Sequence, residues 1–112
     1  MYSKELLKGT LSAIILNLLA ENEKMYGYEI FQRVKEQSDG KILIKDGSLY
    51  PALQKMTKDG LLSYKEEYIG KRVRKYYFLT TKGESEKVRR LAELKDFVAT
   101  LNKLVFPELK IV

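Results

Sequence analysis

The spacing of the apolar residues changes at Gly60, from a helical repeat to strict alternation. Before this point, three segments place apolar side chains three or four residues apart, as amphipathic helices do. After it, "LLSYKEEY" and "RKYYFLT" alternate between two faces, as the two strands of a hairpin do. The chain is therefore predicted to be mainly α-helical with one small β-hairpin.

The first two helices are predicted from apolar stripes. Residues 4 to 20 form one predicted helix, and "MYGYEIFQRVKEQSDG" forms a second that stops at Asp39-Gly40. The next segment, "KILIK", is too short for a helix and rich in isoleucine, which predicts a brief edge strand. The stripe of the first helix is core by its spacing and consists of Leu7, Leu11, Ile14, Ile15, Leu18 and Leu19.

The start of the third helix is indicated by the proline in "DGSLYPALQKM". Proline lacks an amide hydrogen and clashes with the carbonyl four residues back, so a helix tolerates it in its first turn. Pro51 therefore predicts a helix that begins near Asp46 or Gly47, with Asp46 as the N-cap. We expect this helix to occupy about residues 46–60.

The third helix has two different faces when its residues are projected about 100° apart. Leu49, Ala52, Leu53 and Met56 form the apolar face, which is predicted to be core. The other face is polar and cationic, and its first turn suits contacts with base edges and phosphates. In isolation this face fits a solvated surface equally well. It comprises Ser48, Tyr50, Pro51, Gln54, Lys55 and Lys58.

The positive charge of the chain is concentrated in the hairpin. Residues 61–83 hold six Lys/Arg against two Asp/Glu, whereas the numbers are nine and eight in residues 1–60 and six and five in residues 84–112. A basic loop by itself is usually only solvated. Here it lies at the tip of a hairpin, around residues 70–75, and consists of Lys71, Arg72, Arg74 and Lys75.

Three helices followed by a basic-tipped hairpin are the elements of a winged helix-turn-helix, in which the third helix enters the major groove of DNA. Two alternatives remain open. A winged helix that binds protein should expose apolar residues in place of "KRVRK", and one that binds single-stranded RNA should offer aromatic platforms, of which Tyr50 is only one. An enzyme is disfavoured because the chain has neither cysteine nor histidine.

Four motifs resemble those of the PadR-like transcriptional regulators: "YGYEI", "GSLYPAL", "KDGLL" and "RKYYFLT". The resemblance extends from about Leu6 to Gly83, and its most specific feature is "GSLYPAL" followed about twenty residues later by "RKYY". One departure is Lys45, at a position where many members have a serine-type cap. The resemblance implies a dimeric winged-helix repressor that binds a pseudo-palindromic operator in double-stranded DNA.

The same resemblance implies site residues. The recognition helix would be the one that carries Ser48, Tyr50 and Pro51, and the wing would reach phosphates through residues such as Arg72, Arg74 and Lys75. With Gln54, Lys55 and Lys71 from the two surfaces above, the predicted DNA-binding set is Ser48, Tyr50, Pro51, Gln54, Lys55, Lys71, Arg72, Arg74 and Lys75.

The last segment predicts a long helix that begins at a T-x-x-E capping box, Thr81 to Glu84, and ends at Pro107. Its apolar residues recur three and four apart, which suits pairing with a second copy as well as with the first helix of the same chain. We therefore expect a DNA-binding domain at 1–80, a dimerisation helix at 81–106 and a tail at 107–112. The predicted interface is Leu91, Leu94, Val98, Leu101 and Val105.

The resemblance further implies a small hydrophobic effector, because some members of the subgroup with a single C-terminal helix are similar to drug sensors that stack ligands on a tryptophan. Leu94 stands at that position here. A candidate pocket at the dimer centre would be lined by Leu6, Leu94, Phe97 and Val98. No cofactor is implied, and we expect a cytoplasmic protein because no stretch matches an export or membrane signal.

Overall fold

The computed structural model describes residues 2–107 and confirms the mainly helical fold with one antiparallel hairpin. None of the helices within these residues is long and apolar enough to cross a membrane. The elements in chain order are α1 (Lys4–Leu7), α2 (Leu11–Glu21), α3 (Gly27–Gln37), α4 (Asp46–Lys58), β1 (Leu62–Ile69), β2 (Arg72–Leu79) and α5 (Thr81–Val105).

The single helix predicted over residues 4–20 is wrong, because the chain breaks between α1 and α2. Gly9 adopts a φ of +90°, which glycine tolerates and an α-helix does not. The hydroxyl of Thr10 donates to the carbonyl of Leu7 at 2.8 Å and satisfies one acceptor at the end of α1. The apolar period ran through this turn without a gap, so the pattern alone did not show the break.

The core lies between α2, α3, α4 and the base of the hairpin. Its fully buried side chains come from each of these elements, and all of them are apolar. Burial of this set supplies the main favourable term in folding. The largest are Ile15, Leu16, Met25, Ile30, Leu49, Leu53 and Leu62.

The segment "KILIK" is not a strand, so that prediction is wrong. The outer edge of β2 is already occupied, because Met25 and Tyr77 exchange two backbone hydrogen bonds of 3.0 and 2.8 Å. Residues 41–45 are irregular and serve the core instead: Ile44 is buried and Ile42 is half-buried against it. Isoleucine content reflected burial here, not sheet pairing.

The predicted third helix is α4, and it begins at Asp46 as predicted. Asp46 is its first helical residue, however, and the N-cap is Lys45, not Asp46. The Lys45 side chain makes no capping hydrogen bond. Pro51 consequently lies in the second turn, not in the first. The carbonyl that loses its partner to the proline belongs to the exposed Gly47, where water can satisfy it.

The hairpin pairs β1 with β2 from Leu62 opposite Leu79 to Ile69 opposite Arg72. Its tight turn is formed by Gly70 and Lys71. Gly70 has a φ of +64°, as the first central residue of a II′ turn requires. The register places Tyr64 and Tyr77 on the face that meets the core, so the predicted alternation is confirmed.

The last helix begins one residue earlier than the capping box predicted. Thr80, not Thr81, is the N-cap, and its hydroxyl accepts from the amide of Gly83 at 3.0 Å. The same hydroxyl donates to the carbonyl of Gly60 at 2.6 Å, which fixes the start of α5 to the end of α4. α5 ends at Val105. Of the predicted tail, residues 108–112 lie outside the described part.

Candidate nucleic-acid interface

The two faces of α4 are arranged as the sequence predicted. Leu49, Leu53 and Met56 are buried, because the apolar period of the helix turns them toward the core. The predicted contact residues on the other face are all exposed: Ser48, Tyr50, Pro51, Gln54 and Lys55. α4 therefore presents a polar, cationic surface along its length.

The ring of Tyr50 does not stand free in solvent, although 42% of the residue is exposed. It lies against the backbone of Gly27 at the start of α3, so that a methyl group at Gly27 would come within 2.8 Å of Cε1 and Oη of Tyr50. Sequence reasoning missed this contact. The sequence did contain a signal for this contact, the glycine between two tyrosines in "YGYEI". Nothing within α3 itself requires so small a residue there.

Tyr50 also belongs to a group of tyrosines between α4 and the inner face of the hairpin. The rings of Tyr64 and Tyr77 lie 5.9 Å apart, centroid to centroid. Burial raises the pKa of Tyr77, the cation of Lys75 opposes the rise, and the neighbouring Tyr50 and Tyr64 add to it. The Lys75 ammonium itself lies 4.5 Å from the centre of the Tyr64 ring. Lys75 is thus held on the inner side of the hairpin.

The cations of the hairpin are unequal in their surroundings. Across the strands, Lys75 faces Glu66 and Arg74 faces Glu67, so acidic residues offset part of their charge. Lys71 lies in the turn and Arg72 faces Ile69, and both are exposed. The cations at the tip are therefore those whose charge no cross-strand acidic residue offsets.

Arg74 is bound to the body of the protein by an arrangement that we call the Arg74 clamp, consisting of Tyr26, Arg74 and Tyr76. The guanidinium lies 4.0 Å from the centre of the Tyr26 ring, and its Nη1 donates to the Tyr76 hydroxyl at 3.3 Å. The two rings meet edge to face at 5.5 Å.

A second cation extends the clamp. Lys24 lies 4.7 Å from the centre of the Tyr76 ring and pairs with Glu67 of β1. The hydrogen bond to Glu67 is the main cause that raises the pKa of Lys24. These contacts connect the hairpin to the segment that enters α3. Sequence reasoning did not identify Lys24 or Tyr26 because their role depends on this tertiary approach.

The predicted interface on α5 divides into two parts. Leu91 and Leu94 are half-buried, and the ion network of Glu86, Arg89 and Arg90 reaches Ser12 at the start of α2. Every residue from Lys95 to Pro107 is exposed, which includes Val98, Leu101 and Val105. The second half of α5 thus carries apolar side chains that nothing in the described chain covers.

The four residues of the predicted effector pocket are not brought together within one chain. Leu94 and Phe97 border a groove of about 470 Å³ between α2 and α5, beside Lys8, Thr10 and Arg90. Leu6 and Val98 do not line it, and they are 69% and 56% exposed. A second chain would be needed to complete a cavity from these side chains.

This chain is a winged helix-turn-helix protein. The defining features are the three helices α2, α3 and α4, the polar outer face of α4 and the basic tip of the hairpin. The family model described as "Transcriptional regulator PadR-like family" matches residues 15–89, so the chain belongs to that family of transcriptional regulators. The membership that the motifs predicted is confirmed.

Solved structures give the same result. A transcriptional regulator from Clostridium thermocellum is 28% identical with a TM-score of 0.85, covering 91% of this chain and 99% of that chain. A PadR-like transcription factor from Bacteroides fragilis is 35% identical with a TM-score of 0.73, covering 90% and 95%. Bacillus subtilis PadR, solved in complex with operator DNA, is 29% identical with a TM-score of 0.67, covering 76% of this chain and 48% of that one.

Proposed function

We propose that this regulator binds double-stranded DNA as a homodimer and acts as a repressor. The observation that carries the proposal is the exposed polar face of α4 together with the exposed cations at the tip of the hairpin. The complex of Bacillus subtilis PadR with operator DNA supports it by similarity. Occupancy of an operator would exclude the transcription machinery from the same DNA.

In this proposal α4 enters the major groove and the hairpin follows the phosphate backbone. Ser48 and Gln54 contact base edges, since a hydroxyl and an amide can pair with them in the groove. Lys71 and Arg72 contact phosphates from the tip. The other residues of the predicted set add contacts beside these: Tyr50, Pro51 and Lys55 on α4, and Arg74 and Lys75 in the hairpin.

The proposal assigns DNA binding to residues 1–80 and dimerisation to the helix at 81–106. The exposed second half of α5 is short, and an isolated helix of that length is only marginally stable in water. We therefore expect its apolar side to pack against a partner. A symmetric dimer would present two copies of α4, and a pseudo-palindromic operator would match them. The shared contacts would be made by Leu91, Leu94, Val98, Leu101 and Val105.

Release by a small hydrophobic effector is the last part of the proposal. The ligand would lie between the subunits against Leu6, Leu94, Phe97 and Val98. Phe97, which is 58% exposed in one chain, is the aromatic side chain that this site offers for stacking.

The experiment is a titration of labelled DNA from upstream of the gene, with unlabelled duplex of scrambled sequence and RNA as competitors. Gln54→Ala should weaken specific binding by about 1–3 kcal/mol while stability changes by less than about 0.5 kcal/mol, because the side chain is exposed. Leu53→Ala is the matched control from the buried face and should lose about 2–5 kcal/mol of stability. RNA that competes as strongly as unlabelled DNA of the same upstream sequence would reject the proposed DNA target.

A further inference from the structure

An apolar groove of about 430 Å³ opens beside the short α1 and the first turns of α2. Its lining includes no residue of α5 or of the hairpin. Leu11, Ile14 and Ile42 form its floor, and each of them is only half-buried while it packs against the core. Neither the proposed DNA contacts nor the proposed dimer uses these side chains.

The rim of the groove is cationic. Lys4, Lys8 and Lys45 all line it, and no acidic side chain of residues 2–107 does. Within residues 2–107 none of the three lysines takes part in an ion pair. The Ser48 hydroxyl lies on the same rim and adds a hydrogen-bond donor. Cations around an apolar floor complement a ligand with an apolar body and an anionic head.

We propose that this groove binds an aliphatic carboxylate of the fatty-acid type. The hydrocarbon chain would cover Leu11, Ile14 and Ile42, and the carboxylate would lie among the lysines and Ser48. The volume is within the range of about 300–1,000 Å³ that is usual for small-molecule sites. An aliphatic body is favoured over an aromatic one because the floor offers leucine and isoleucine, and the one aromatic side chain in the lining is Tyr2.

The position of the groove gives the ligand a consequence for DNA. Lys45 is the N-cap of α4, and Ser48 lies in its first turn. A bound carboxylate would neutralise positive charge and occupy a hydroxyl at the end of the helix that enters the major groove, so DNA affinity should fall. This consequence rests on the proposed function, whereas binding of the carboxylate does not.

The first test uses octanoate below its micellar concentration and 1-octanol as the uncharged probe, with the full chain. Calorimetry should show that octanoate binds more tightly than octanol. Lys4→Gln combined with Lys8→Gln should weaken octanoate binding about fivefold, since exposed charge pairs contribute modestly. Lys35→Gln removes an exposed charge from α3, outside the groove, and should leave the affinity unchanged.

Amide chemical shifts locate the site independently of affinity. Octanoate should shift the amides of Leu11, Ile14 and Ile42, and shifts confined to α5 would overturn the assignment. Equal binding of octanol, or an unchanged affinity after the two lysine substitutions, would refute the carboxylate. Groove amides that shift with protein concentration alone would show that a second copy of the chain covers the groove, and would also overturn the proposal.

DNA titrations with and without octanoate separate the two proposals. A fall in DNA affinity that the Lys4 and Lys8 double variant resists supports the regulatory consequence, because these two lysines lie away from α4 in sequence and line the groove. Octanoate binding with unchanged DNA affinity would refute regulation and leave the site intact. Failure to bind DNA even without octanoate would refute the proposed function and leave the calorimetric result standing.

Discussion

Tyr50 and Gly27 illustrate what a residue pattern can and cannot predict. The period of α4 predicted that Leu49 and Leu53 are buried and that Tyr50 is on the other face, because the helix repeat alone determines this separation. The contact of the Tyr50 ring with Gly27 joins residues 23 positions apart in the sequence. Its existence depends on how α3 and α4 cross, which no local repeat encodes.

Gly27→Ala tests whether this contact positions Tyr50. The added methyl would lie 2.8 Å from Cε1 and Oη of Tyr50, so the side chain must move. We expect a loss of stability of only about 0.5 kcal/mol, because the exposed Tyr50 side chain can turn outward, and weaker DNA binding because Tyr50 is displaced. Chemical denaturation and DNA titration of the same preparation measure the two effects.

Gly47→Ala is the matched control, because nothing lies near the added methyl. It should not destabilise the protein and should raise helix stability by up to about 1 kcal/mol. In the double variant of Gly27→Ala with Tyr50→Ala, the steric part of the loss should disappear. If Gly27→Ala is equally harmful without the Tyr50 ring, the glycine serves another purpose.

At the scale of elements, the sequence predicted which segments are helix and strand but misplaced several ends. Periodicity identified α2 to α5 and both strands because the apolar residues of each recur on one regular face. It failed at Gly9, where the apolar repeat continues through a turn, and at Ile42 and Ile44, which fill the core without pairing. These outcomes depend on neighbouring elements that are distant in the sequence.

The Arg74 clamp acts between elements, because it connects the hairpin to the segment that enters α3. Arg72, which lies outside the clamp, is the control residue. Both substitutions to alanine should weaken binding to all duplexes, and Arg72→Ala should reduce the slope of log affinity against log salt by about 0.9. Only Arg74→Ala should also destabilise the protein, by about 0.5–2 kcal/mol, because it loses the Tyr26 ring contact. Thermal melts and salt titrations of both variants check this division.

Hydrogen exchange gives a further check on the clamp. Amides of the hairpin should exchange faster in Arg74→Ala and at the ordinary rate in Arg72→Ala, since Arg72 is exposed at the tip. Identical exchange in the two variants would mean that Arg74 does not hold the hairpin in place.

The lowered pKa of Glu86 predicts how the attachment of α5 to α2 responds to acid. Hydrogen bonds from Arg89 and Arg90 lower the pKa of Glu86 to about 2. A lowered pKa contributes stability above the ordinary glutamate value of about 4.3, and this contribution is lost as the pH falls toward about 2. Glu86→Gln should therefore lose less stability than the unmutated protein across that window.

Denaturation at a series of pH values measures the difference. Glu36→Gln is the control, because Glu36 is exposed on α3 and forms no ion pair within residues 2–107. Parallel acid profiles for the Glu86→Gln variant and the unmutated protein would show that the Arg89 and Arg90 contacts do not stabilise the fold.

At the scale of the whole molecule, the two ends of α5 have different roles. The first half is attached to α2 through Arg90 and Ser12 and is half-buried at Leu91 and Leu94. The second half is exposed on every side, even at apolar residues such as Leu104, which is 75% exposed. The spacing of the stripe predicted apolar side chains here, but a single chain contains no information on what covers them.

Leu101→Lys tests the proposed dimer at the centre of this exposed stripe. Leu101 already lies at the surface of one chain, so the substitution should change the fold of a monomer little. In a dimer it would place two charges in the shared apolar seam, where burial without a partner is unfavourable. Light scattering at micromolar concentration should give twice the chain mass for the unmutated protein and a value near one chain for the variant.

Ala99→Lys adds the same charge on the opposite side of α5, about 160° from Leu101 at 100° per residue, and should leave the dimer intact. Circular dichroism adds a second observable. Once separated, the exposed half of α5 should fray, because a short isolated helix is marginal in water, so Leu101→Lys should lose helical signal that Ala99→Lys retains. The unmutated protein could instead have the mass of one chain and still give the full helical signal of an intact α5. That result would show that α5 is stable alone and that the proposed interface is wrong.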